Sequence, residues 1–204
     1  MIATLGRLRL TIGFLVVMVA ANIFTGSLFG NLPTAHLQSW GISLATLLNG
    51  DISRLVTATF LSHDSDMFVT QFLFAAAIIG THEWRRGTWS TLTLFCVTDI
   101  AGSLVIFFLI IAPLSGMDLH AADSIALKHD VGMSGGGFGL LGGIVAGMRQ
   151  RWLIAPAVLV AIIVKFRLFP DLIADSLHIV TFILGFAIYQ TILYRKTGKG
   201  DHAA

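Results

Sequence analysis

Residues 129–143 read H-D-V-G-M-S-G-G-G-F-G-L-L-G-G and place a single hydroxyl, Ser134, at the head of an apolar, glycine-rich run. A serine hydroxyl becomes a nucleophile when a base takes its proton and fixed N–H donors hold the negative oxygen formed on the attacked carbonyl. His178, also set among apolar residues, has the imidazole that such chemistry needs. Gln71 and Asp99 are two further polar side chains in apolar surroundings. The competing reading of Ser134 is packing, since Gly135, Gly136, Gly139 and Gly143 let helices approach closely and a small serine serves the same end. The letters G-x-S-x-G at 132–136 also fit the nucleophile elbow of soluble hydrolases, but that motif needs a β-strand before it. Here a polar loop precedes and an apolar helix follows, which rejects the match.

Composition sets the kind of element that must carry these groups. The chain has 204 residues, 55% hydrophobic and 12% charged, with a mean hydropathy of +0.84, which reads as an all-α membrane protein. A lone Cys96 forms no internal disulfide. A formal charge of +2, with no interleaving of basic and aromatic residues, gives no case for nucleic acid. Zinc-type Cys/His spacing and a phosphate-cradling loop are missing too, so neither a metal nor an organic cofactor is expected.

About 20 apolar residues cross ~30 Å of hydrocarbon, and six candidate spans follow. They run over residues 8–29, 65–83 (apolar from Met67 to Thr81), 88–112, 132–148, 152–168 (apolar from Trp152 to Val164) and 172–194, in a single domain covering 1–204. The first is read as a retained span and not a signal peptide, because its apolar character continues past Ala20 and Ala21 to Phe29. Arg7, Arg9, Arg85, Arg86, Arg149, Arg151, Arg195, Lys196 and Lys199 fall on one side of this arrangement. Arg54, Lys128, Lys165 and Arg167 fall on the other, with Asp51, Asp64, Asp66, Asp118, Asp123, Asp130, Asp171 and Asp175. The positive-inside rule then makes both termini cytoplasmic, and a prokaryotic plasma (inner) membrane is the expected location. In the first outer loop, Trp40, Leu44, Leu47 and Leu48 suggest short helices lying in the membrane interface, with an ordinary connecting loop as the alternative reading.

If each basic turn marks the inner edge, the helical rise of 1.5 Å per residue is a ruler up each span. Ser134 lies about 22 Å above Arg149, and His178 about 25 Å above Arg195. Both sit within one helical turn of the same level, ~5 to 8 Å beneath the outer edge of a ~30 Å core. Gln71 and Asp99 reach similar heights, about 21 and 20 Å. An ionisable group at such depth is a functional-site hypothesis. For His178 the competing reading is a buried histidine hydrogen-bonded for stability; for Asp99 a structural role is preferred, bonded to hydroxyls such as Thr98 or Ser103 or protonated by its apolar setting, and Gln71 is read as structural unless it faces Ser134. Ser134 heads its helix, where backbone N–H groups lack partners and the dipole end is positive, which suits an oxyanion.

Gly132, Ser134, Gly135, Phe138, Gly139 and Gly142 match the G-x-S-G-x-x-F-G-L-x-G pattern of the rhomboid intramembrane serine proteases, and the chain resembles their minimal six-span type. His178 stands where that family's catalytic histidine opens the sixth span, with Pro170 and Asp171 before it. From Arg54 to Gly87 the chain lies on the family's first loop, second span and E-x-x-x-G turn without a gap, with Thr57, Phe60, Leu61, Glu83 and Gly87 in register. Several positions depart from the pattern. The second-span H-x-x-x-N, which in the family helps hold the oxyanion, becomes Met67 and Gln71; the histidine at that span's outer end becomes Ser62, with His63 beside it. Ser53 replaces the tryptophan of a W-R pair, Thr181 the first glycine of a G-x-x-x-G run that Gly185 completes, and Asp99 stands where glycine is usual.

The resemblance implies a six-helix rhomboid-like bundle and a Ser134–His178 dyad, with Asp99 not a third member. It implies that Gly132, Met133, Met67 and Gln71 line the site around the oxyanion, Gln71 still offering an amide donor. It further implies transmembrane protein substrates, entering from the membrane lipid and cut near their extracytoplasmic ends. Two other readings stand beside it: a non-catalytic rhomboid-like binder of membrane helices, motivated by Met67 and Gln71, and a small transporter, for which the chain offers no duplicated half.

Overall fold

The computed structural model describes residues 6–115 and 126–198. Asp118, Asp123 and Lys199, and the side chains of Arg195 and Lys196, lie outside the described residues. The protein is all-helical, with no strand among the described residues beyond one isolated bridge between Ile42 and Asp130. The long helices are α1 (Arg9–Thr25), α5 (Ser65–Arg86), α6 (Thr88–Ser115), α7 (Ser134–Ala146), α8 (Arg151–Leu168) and α9 (Leu172–Gly198), and the first loop carries α2 (Thr34–Trp40), α3 (Leu44–Leu48) and α4 (Arg54–Thr57). By length and composition α6 and the Leu172–Ile192 part of α9 can each cross a membrane, while α1 and α7 are apolar but shorter.

Local chemistry explains where the ends depart from the apolar runs. α1 stops at Thr25 and not at Phe29, because Gly26 adopts a left-handed conformation (φ 80°) that turns the chain out of the helix. α5 outruns its apolar stretch at both ends. Asp64 caps it, accepting from the Met67 N–H at 2.7 Å, while Arg85 and Arg86 complement the dipole in the last turn before Gly87 (φ 83°). α6 continues to Ser115 through a π-helical stretch at Ile106–Ile111. α7, at 13 residues, spans only about 20 Å.

Helix directions follow from the contacts. Gly135 lies against Leu177, Gly142 against Phe182 and Phe186, and Gly147 against Tyr189, so α7 and α9 run parallel. Gly132 meets Met67 and Gln71, Gly137 meets Phe74 and Gly143 faces His82, so α5 is parallel to them as well. α6 opposes α7, pairing Asp99 with Gly135 and Leu94 with Gly143, and α1 opposes α5. Arg7, Arg9, Arg85, Arg86, Arg149 and Arg151 therefore gather at one end of the bundle, and Arg54, Lys128 and Lys165 at the other. α7 is the hub, packed most extensively on α9 and then on α6 and α5. α8 is peripheral, with Ile162 its one buried residue.

The first loop forms helices as expected, but their apolar side turns inward. Leu44 and Leu47 are buried in a cluster with Ile106, Phe107 and Ile173, while Trp40 and Leu48 stay exposed. Arg54 ties this loop together, bonding Asp51 and the carbonyls of Gln38 and Gly41. Its hydrogen bond and that of Ser53 hold the Asp51 carboxyl below the usual carboxylate range.

Glu83, 1% exposed, is the main polar knot at the basic end. It accepts from the amides of Leu10 and Thr11 at 2.9 and 2.8 Å and from the hydroxyls of Thr11 and Thr88, both at 2.7 Å. One carboxylate thus caps α1 and joins it to the turn between α5 and α6. Glu83→Ala would strand two helix-start amides in a buried setting. It is expected to cost about 2–4 kcal/mol, read as a lowered unfolding midpoint in detergent, whereas an unchanged midpoint would refute the role.

Candidate active site

The segment leading into α7 is pinned before the helix begins. Ile42 and Asp130 exchange backbone hydrogen bonds of 2.9 and 2.7 Å, and the Gly132 N–H donates to the Ala58 carbonyl at 2.9 Å. Gly132 has φ +130°, and a Cβ there would run into Gln71 Nε2 and Met67 Cε. Glycine is required on both counts. Because its amide is already bonded, Gly132 lines the site without being an oxyanion donor.

Ser134 is the first residue of α7 and half-buried. Neither its hydroxyl nor the amides of Ser134 and Gly135 have a hydrogen-bond partner among the described residues, so two adjacent backbone donors stand free beside the nucleophile candidate. The next amide, of Gly136, donates to Asp99 Oδ1 at 2.8 Å, and Thr59 Oγ1 donates to Asp99 Oδ2 at 3.2 Å. Asp99 thus accepts a hydroxyl as expected, but from Thr59 and not from Thr98 or Ser103. Thr98 Oγ1 instead donates to the Leu94 carbonyl on its own helix at 2.8 Å. A bare amide at the positive end of α7 is the better partner for a carboxylate than a hydroxyl already satisfied within its turn. Asp99 thus anchors the serine helix from behind.

Met133 is fully buried among Phe68, Phe95 and Leu140. Its side chain belongs to the core, so what Met133 offers the expected site lining is its backbone next to Ser134. Gln71, 6% exposed, is oriented by Ser62, whose hydroxyl lies 3.4 Å from Gln71 Oε1 and leaves Nε2 turned toward Gly132. Met67 puts its terminal methyl against the same glycine, and its sulfur accepts the His63 N–H at 3.3 Å. Below them, Thr59, Asp99, Ser103 and Asp130 share a cavity of about 20 Å³ with Gly132, large enough for one water.

His178 is carried by α9 and stacks on Phe138, with ring centroids 4.2 Å apart and planes 20° apart. Phe138 is one turn below Ser134 on the same face of α7, and Phe74 closes its other side at 5.3 Å. His178 Nε2 is buried without a hydrogen-bond partner. Ser134 and His178 do not hydrogen-bond to each other in this structure; catalytic hydrogen bonds of this kind tighten in a Michaelis complex. The two helices are held together by small residues: a Cβ on Gly142 would meet the Phe182 carbonyl, and one on Gly185 the Gly139 carbonyl.

Two neighbours of His178 were not singled out from the sequence for this role. One is Phe138, which is present in the serine motif at i+4. The other is Asp175, whose Oδ1 lies 3.9 Å from His178 Nδ1. Asp175 is itself fixed by Lys165 Nζ and the Asp171 amide, both donating to Oδ2 at 3.0 Å. At 3.9 Å it acts on the imidazole through its field and not through a hydrogen bond. The D-x-x-H spacing at 175–178, which puts both groups on one helical face, is the signal that could have found it.

The arrangement can do acyl-transfer chemistry: a hydroxyl at a helix start, two free amides, a side-chain amide and an imidazole on the adjoining parallel helix. No family model matches the chain, and neither a curated protein nor a solved structure matches it.

Proposed function

We propose that the protein is a six-span, rhomboid-type intramembrane serine endopeptidase that cuts transmembrane helices near their extracytoplasmic ends. The observation that carries this reading is His178 stacked on Phe138, one turn from Ser134, with its buried Nε2 left without a partner. In the proposed reaction Ser134 Oγ attacks a peptide carbonyl while its proton passes to His178 Nε2. The tetrahedral oxygen takes hydrogen bonds from the free amides of Ser134 and Gly135 and from Gln71 Nε2. Collapse breaks the C–N bond, and His178 gives its proton to the leaving amine. Water then attacks the acyl-serine with His178 as base, releasing the new carboxyl terminus and restoring Ser134.

Substrates in this proposal are membrane proteins entering sideways from the lipid, and those with helix-weakening Gly or Pro present a carbonyl most readily. The basic end of the bundle faces the cytoplasm with both termini, in the plasma membrane of a prokaryote. The test is reaction of the purified chain with a fluorophosphonate probe, expected to label the wild type and to lose its target in Ser134→Ala. No labelling under conditions where an active relative reacts would overturn it.

A second reading, a non-catalytic binder of membrane helices, is favoured by two observations. An apolar methyl of Met67 stands at Gly132, and Asp99 occupies one amide of the serine helix. Turnover of a transmembrane peptide separates the two, since a binder shows none. In a protease, Gln71→Leu removes one oxyanion donor and is expected to lower kcat about 10²-fold or more with little change in KM on a fluorogenic transmembrane peptide. An unchanged kcat would remove Gln71 from the oxyanion site.

A further inference from the structure

At the basic end, away from Ser134, α5, α6 and α9 enclose a cleft of about 650 Å³. Its lining includes Arg85, Arg86, Trp89 and Ser90 at the rim and His82 and Tyr189 deeper in. His82 and Tyr189 are 2% and 6% exposed, and each carries a buried polar atom with no hydrogen-bond partner, His82 Nε2 and the Tyr189 hydroxyl. These two atoms are closed off from the cleft and face α7, where a Cβ on Gly143 would lie 3.7 Å from His82 Nε2 and one on Gly147 3.4 Å from the Tyr189 hydroxyl, so the groups open to an occupant are those at the rim. The Arg86 guanidinium lies 4.7 Å over the Tyr189 ring, which holds it at the cleft wall. Trp89 and Ser90 belong to the first turn of α6, whose amides lack intrahelical acceptors and whose dipole end is positive. Two guanidinium groups, a helix start and a hydroxyl together select an anion with several acceptor oxygens, and phosphate is the chemistry that fits.

We infer that this cleft binds the phosphate of an anionic phospholipid. A lipid is favoured over a soluble phosphate because Val97, Ile188 and Ile192 continue the cleft as an apolar wall, suited to an acyl chain. Trp89, 78% exposed, lies at the rim as an amphipathic ring does at a headgroup level. Basic pockets between helices on the cytoplasmic side hold such headgroups by charge and hydrogen bonding together. The inference rests on the membrane reading of the chain and is independent of the chemistry at Ser134.

The experiment is a thermal unfolding titration of the delipidated full chain in neutral detergent with added phosphatidylglycerol, phosphatidylcholine or sodium phosphate. Phosphatidylglycerol is expected to raise the midpoint in a saturable way, beyond phosphatidylcholine. Arg85→Gln and Arg86→Gln are each expected to weaken that response about tenfold. Arg149→Gln, at the same end but outside the cleft, is expected to leave it unchanged. Equal responses to the two lipids, or equal weakening by Arg149→Gln, would overturn the site. Sodium phosphate matching the lipid would overturn the lipid as occupant. If Arg86→Gln fails to fold, Arg85→Gln and Ser90→Ala, which removes a hydroxyl of the cleft rim, carry the same comparison. Failure of lipid binding leaves probe labelling of Ser134 untouched, so the two proposals fail separately.

Discussion

Ser134→Ala and His178→Ala are each expected to abolish cleavage of a transmembrane substrate, with a rate loss on the order of 10⁴- to 10⁶-fold. The two act as one unit: without the imidazole the hydroxyl keeps its proton, and without the hydroxyl the imidazole has nothing to activate. The double variant is therefore expected to be no worse than either single one, which separates a dyad from two independent contributors. Fluorophosphonate labelling should vanish in both. Stability is expected to be nearly unchanged in Ser134→Ala, because that hydroxyl is half-buried and makes no hydrogen bond among the described residues. Unfolding midpoints measured beside the rates distinguish lost chemistry from lost fold. Cleavage that persists unchanged in His178→Ala would end the dyad assignment.

Gly185→Ala is expected to be the most damaging small substitution in the bundle. A single methyl there would press into the backbone of Gly139, and neither α7 nor α9 can yield locally because each is a continuous helix at that point. The helices must move apart, at a cost of about 3 kcal/mol against the ~1 kcal/mol gained in helix propensity. The same displacement would draw the His178 ring off Phe138, so activity and unfolding midpoint should fall together. Gly13→Ala is the control. Gly13 also lies within a helix, but its added methyl meets nothing within 4 Å, and that variant should be neutral or slightly stabilised. Equal behaviour of the two variants would show that the α7–α9 approach is not what holds these helices.

Much of the positioning was legible along the chain. Apolar runs ending in arginine foretold alternating helices with their basic residues at one end, and the common height of Ser134 and His178 follows once α7 and α9 run parallel. The serine motif's glycines foretold close contact, and Gly139, Gly142 and Gly185 make it. Other features were out of reach. Asp99 bonds a hydroxyl as expected, but it is that of Thr59, 40 residues away, and it also holds the Gly136 amide 37 residues away. Leu44 and Leu47 were expected at a lipid surface and lie in the core.

The sequence by itself determined the long helices and the place of each polar group along its helix, because a helix advances a set distance per residue whatever surrounds it. Tertiary structure alone decided how each helix is turned about its axis and which side chains it meets. That choice is why His178 rests on Phe138, why Asp175 lies beside its ring, and why Asp99 and Glu83 cap helices remote from them in the chain. Rotation about a helix axis changes no local hydrogen bond, so nothing within a segment selects it; the fit of distant segments against one another does.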